Sequence, residues 1–187
     1  MPHPTPELVP QKPLSDTDMS LPLRLALRYH PLFLELGRHI TKRTWGALRG
    51  AEVQGTVRDP SQASDLIALF CYILGVPEHQ TSSVQGSVIH VVLLYPTCAL
   101  QLLFTVVPSV TVNPSLWGSL SFASDEMVEF RFGQECFIAH GSEDGRLYHI
   151  SLPEGDPELY RALDREGHVL SQELERAVED FIQSLTL

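Results

Sequence analysis

Eight histidines, three cysteines and a short run of serines are the side chains in this sequence best able to do chemistry. A metal held on one element needs ligands at a fixed repeat, and neither HxxxH nor HExxH occurs. Reading Gly141 to Gly145 as a hairpin loop sets Ala139 opposite Leu147 and Phe137 opposite His149. His140 and His149 then leave the hairpin on opposite faces and cannot share an ion. His90, inside an apolar run, reads as a hydrogen-bonded core residue. Cys136 and His140 face one side of a strand but stand roughly 13 Å apart by strand rise, too far for a thiolate–imidazole pair. Cys71, Cys98 and Cys136 are widely spaced with no CxxC, which suits buried, reduced thiols. The serines of Trp117-Gly118-Ser119-Leu120-Ser121 lack a GxSxG elbow, and Glu143-Asp144 before Gly145 is ordinary turn chemistry. Neither GxGxxG nor GxxxxGK is present to cradle a phosphate. No catalytic, cofactor-binding or metal-binding residue is therefore expected, and the chain is read as non-enzymatic.

Binding surfaces are more legible, because the net charge of -10 is unevenly spread. Between Pro22 and Arg58 seven basic residues face two acidic ones, residues 59–123 contain no Lys or Arg, and from Ser124 onward fifteen acids face five bases. Overall acidity argues against non-specific coating of nucleic acid or anionic membrane. In the basic part Arg38, Lys42, Arg43 and Arg49 accompany Trp45, a possible set of phosphate contacts with one stacking ring. In the acidic part Glu173, Glu175, Glu179 and Asp180 lie on the outer face of a helix and suit a basic partner.

These residues need elements to hold them. The opening MPHPTPELVPQKPLSDTD is polar and proline-rich with no apolar core, so it reads as a disordered tail over residues 1–21 and not as a signal peptide, and the cytoplasm is the expected compartment. Residues 22–187 are expected to form a single α+β domain. Pro31 fits the first turn of a basic amphipathic helix over 31–44, and Ala51 to Val57 alternates as a short strand. Asp59-Pro60 reads as cap and first-turn proline of a buried helix over 60–74. Residues 88–107 have the composition of a membrane span, but His90, Gln101 and Pro96-Thr97 interrupt them and no basic residue flanks them. Paired strands at 87–95 and 98–107 are expected instead. Met127 to Phe132, Glu135 to His140 and Arg146 to Leu152 suggest a three-stranded meander. Asp156-Pro157 opens one helix, and the stripe Leu170, Leu174, Val178, Phe181 and Leu185 marks another. The sum is an antiparallel sheet, hairpin plus three-stranded meander, with helices packed on one face.

The last third, from Glu135-Cys136-Phe137 through Arg146-Leu147-Tyr148-His149-Ile150 to Glu175 through Phe181, resembles the closing meander and helix of small bacterial secretion chaperones and of toxin-blocking immunity proteins. A partial likeness to the small non-catalytic subunit of the tRNA-splicing endonuclease rests on His30-Pro31, Trp45, Val106-Val107-Pro108 and Glu143-Asp144-Gly145 before Tyr148. The expected function is thus a non-enzymatic protein-binding domain, with another protein or a second copy as partner. The alternative is a nucleic-acid-associated accessory protein of an RNA-processing or DNA-repair complex. No cofactor and no membrane partner are expected.

Overall fold

Asp59-Pro60 is where the sequence most plainly starts a helix, and the structure starts one there. The computed structural model describes residues 27, 30–109, 114–133, 136–141, 147–150, 172–185 and 187. In chain order the elements are α1 (Pro31–Thr41), β1 (Leu48–Val57), α2 (Pro60–Leu74), β2 (His79–Gln85), β3 (Val88–Leu94), β4 (Ala99–Val106), β5 (Ser115–Phe122), β6 (Met127–Phe132), β7 (Phe137–Gly141), β8 (Leu147–Ile150) and α3 (Gln172–Ser184). At the start of α2 the Asp59 carboxylate accepts from the Gln62 amide at 3.0 Å, and the Gln62 side chain accepts from the Arg58 amide at 2.8 Å. Two amide donors that the helix cannot satisfy internally are thereby paired.

Helix α1 stops at Thr41, earlier than the periodicity suggests. Arg43 takes φ +52, and its amide and that of Thr44 bond back to the carbonyls of Ile40 and His39. This left-handed turn satisfies the final carbonyls and turns the chain toward β1.

The eight strands form one sheet in the order β2-β3-β4-β1-β5-β6-β7-β8. β1 and β4 run parallel, whereas every other neighbouring pair is antiparallel. The expected antiparallel sheet with a three-stranded meander is therefore corrected to a mixed sheet. β1 joins the first three-stranded half to the meander half, α2, β2 and β3 make up the connection between the parallel strands β1 and β4, and the meander has four strands because β5 belongs to it. In β7–β8 the pairs are Gly141 with Leu147 and Ala139 with His149, so the register expected from a loop at Gly141 is also corrected.

Side chains alternate across the sheet, and one face is clothed by the helices. Val53, Leu102, Val91 and Phe130 point into a core shared with Leu32, Phe33 and Leu36 of α1, Leu66, Ile67 and Phe70 of α2, and Val178 of α3. Phe33 meets Phe130 and Phe132 at ring distances of 6.5 and 5.5 Å, fixing α1 over β6. Each such fully buried side chain contributes roughly 1.5–3 kcal/mol relative to exposure. α3 packs on α2. No helix among the described residues is long and apolar enough to cross a membrane. The expected tail at 1–21, the helix opening at Asp156-Pro157 and the turn at Glu143-Asp144-Gly145 lie outside the described residues.

Candidate functional site

Among the described residues no helix lies on the other face of the sheet, and the middle of that face is the candidate site. β5 turns Trp117 and Ser119 to this side, and β6 turns Met127, Glu129 and Arg131. Trp117 is 54% exposed and Met127 52%, high values for side chains of this size. With Phe137 of β7 they border an open hollow of about 430 Å³, floored by Gly118 and Phe130. Register sets Trp117 beside Arg131 and Ser119 beside Glu129. On the other flank Gln54 of β1 stands beside Trp117, and Glu52 beside Ser119.

Gly118 explains how an indole comes to stand so free here. A Cβ at this position would lie 2.7 Å from the Glu52 carbonyl oxygen and 2.9 Å from Cε1 of Phe130. The Phe130 ring fills the space that a side chain at residue 118 would need, so β1, β5 and β6 approach closely beneath Trp117. Among the described residues Glu52, Glu129 and Arg131 enter no ion pair. An aromatic ring, a guanidinium and two carboxylates thus stand together on one face of three paired strands.

The residues singled out in the sequence lie elsewhere. Trp45 is buried, stacked on the His39 ring at 4.2 Å and packed on Phe122 at 5.4 Å, so it offers no ring to a base. Arg38 is paired with Glu35, Arg49 with Asp125 at 3.1 Å, and Lys42 and Arg43 are exposed in the turn after α1. The Arg38 guanidinium hydrogen-bonded to Glu35 holds that carboxyl below its ordinary range. Glu173, Glu179 and Asp180 are exposed on α3 and Glu175 is half-buried, on the helical layer and away from the open face. His90 is half-buried on the open side of β3. Sequence reasoning missed Trp117, Glu129 and Arg131 as a group. The available signal was the alternation of Leu116, Leu120 and Phe122 against Trp117, Ser119 and Ser121, broken only by Gly118.

Nucleophile and metal chemistry find little support on either face. Burial pushes the Cys71 thiol up to about 12, although a hydrogen bond with the Tyr95 hydroxyl works the other way, and burial also raises Cys98 and Cys136. Such thiols stay protonated near neutrality. Among the described residues no group of three or more His, Cys, Asp or Glu side chains could hold a metal ion.

Solved structures share the fold of this mixed sheet and its helices. The chain is similar to a dehydrogenase from Chromobacterium violaceum, with a TM-score of 0.57 and 11% identity over 86% of this chain and 57% of that one. It is also similar to an oxidoreductase from Sinorhizobium meliloti, with a TM-score of 0.54 and 12% identity over 74% of this chain and 45% of that one. The chain thus spans about half the length of the structures it matches. No protein-family model matches it, and no curated protein is similar to it in sequence.

The fold overturns the expected function. A non-enzymatic protein-binding domain of the secretion-chaperone or immunity type, and the alternative of a nucleic-acid accessory subunit, are expectations that rest on missing motifs and on the uneven spread of charge. Solved structures of an oxidoreductase and a dehydrogenase instead share the fold of this chain over about half of their own length.

Whether the described residues suit a nicotinamide dinucleotide can be judged from the helix ends, where a pyrophosphate would bind. His30 caps α1 within a cluster of Phe33 and Phe132, the Asp59 carboxylate caps α2, and Glu173 and Glu175 occupy the first turn of α3. Two of these ends present negative charge and the third is filled by an imidazole. The described residues do not fit such a cofactor.

Proposed function

We propose that this chain acts as the sheet domain of an oxidoreductase of the dehydrogenase type, with the dinucleotide held by a unit other than these 187 residues. The observation carrying this reading is the fold itself, which matches about half of each oxidoreductase chain while the starts of the described helices are closed to phosphate. The domain supplies a rigid platform and leaves hydride chemistry to its companion unit. Free thiols at Cys71, Cys98 and Cys136 suit the reducing cytoplasm as its compartment.

Two measurements test the division of labour. The chain produced alone is expected to show no saturable binding of NADH or NADPH by calorimetry. Material purified natively from source cells is expected to carry oxidoreductase activity that depends on one of them. Tight binding by the chain alone would overturn the assignment of the cofactor elsewhere, and native material without any dinucleotide-dependent activity would overturn the redox reading.

A further inference from the structure

The open face has a symmetry that the redox reading does not use. Two rows of side chains cross it one pleat apart, Gln54–Trp117–Arg131 and Glu52–Ser119–Glu129, each set by strand register. The first row carries the cation and the large ring. The second carries two carboxylates and, beside the ring, a small hydroxyl.

We propose that this face is covered by the same face of a second copy of the chain, related by a two-fold axis that runs across the strands midway between the two rows. Such an axis lays the first row of each copy over the second row of the other. Arg131 then meets Glu129 of the partner subunit, Gln54 meets Glu52 of the partner subunit, and the Trp117 ring lies over Ser119 of the partner subunit. Each contact occurs twice, as an isologous interface requires. Charge is matched to charge and large to small along the two rows.

The area is adequate. Five strands at about 4.8 Å spacing and about seven residues of length give a plane of roughly 550 Å², which side-chain relief raises toward the roughly 800 Å² per partner of a standard interface. Face-to-face sheets pack about 10 Å apart, a gap that an indole and an arginine fill. Trp and Arg are the side chains most often dominant at the centre of such contacts.

Sedimentation velocity over a concentration series tests the pairing on the full chain. The wild type is expected to be a dimer. Arg131→Glu and Glu129→Arg, each of which places like charges together at two symmetric points, are expected to weaken it by about tenfold or more. The double variant carrying both changes restores opposite charges at both points and is expected to return the dimer. Both positions are exposed, so circular dichroism and melting should match the wild type in all three. A wild type that stays monomeric, single variants that dimerise as tightly as wild type, or a double variant that remains monomeric would each overturn the proposal. None of these outcomes depends on whether the assembly carries redox activity.

Discussion

Phe130→Ala is expected to lower the stability of the fold by about 3–5 kcal/mol, the range for truncating a buried aromatic without full collapse of the space left behind. Phe130 is 2% exposed and joins three parts of the molecule. It lies 6.5 Å from the Phe33 ring of α1, 6.4 Å from the Phe70 ring of α2, and directly over Gly118 of β5. Urea unfolding monitored by circular dichroism reads the loss as a lower midpoint at unchanged slope. The same geometry predicts coupling. Gly118→Ala alone should destabilise by about 1–3 kcal/mol through overpacking, and by less in the Phe130→Ala background, where one of the two obstructing groups is gone. Additive effects, or a loss below about 1 kcal/mol for Phe130→Ala, would contradict this packing.

Acid is expected to weaken the fold through His30 well before the carboxylates titrate. Its Nδ1 accepts from the Leu32 amide at 3.3 Å as the cap of α1, and its ring lies 5.1 Å from Phe132 and 6.1 Å from Phe33. Burial lowers its pKa from 6.5 to about 4, because a proton would place charge among aromatic rings and remove the lone pair that caps the helix. The folded pKa is depressed, so this contribution is complete above about 6.5 and is lost progressively as pH falls toward about 4. The difference corresponds to about 3 kcal/mol over that window. His30→Asn keeps a capping oxygen but cannot take up the proton. Stability measured at pH values between the two pKa values should fall for the wild type and stay nearly level for the variant. Parallel curves would show that His30 is not the group responsible.

Much of the framework was legible from local chemistry. Asp59-Pro60 and the apolar repeat to Leu74 mark α2, and Met127 to Phe132 alternates as β6 does. Legibility failed where burial did not imprint a pattern. β2, with the sequence HQTSSVQ, is almost wholly exposed on both faces, so no alternation announces it. β5 escapes the sequence pattern because Gly118 stands at a position where the core face normally shows a large residue. There the occupant of the space is Phe130, a residue twelve places later in the chain. The parallel pairing of β1 with β4 depends on spatial order, which no single segment encodes. The site was hidden for the same reason. Trp117, Arg131 and Gln54 come from three strands and become neighbours only through register, whereas Arg38, Lys42, Arg43 and Trp45 are close in sequence and drew notice first.

The wild-type chain contains its own reporter for what covers the open face. Of its two tryptophans, Trp45 is buried and Trp117 is 54% exposed. Emission and iodide quenching should therefore be followed from dilute to concentrated protein. The account predicts that emission moves to the blue and quenching falls as the second copy seats over Trp117. An indole that stays equally open to iodide at every concentration, while the protein is shown to be folded, would contradict it.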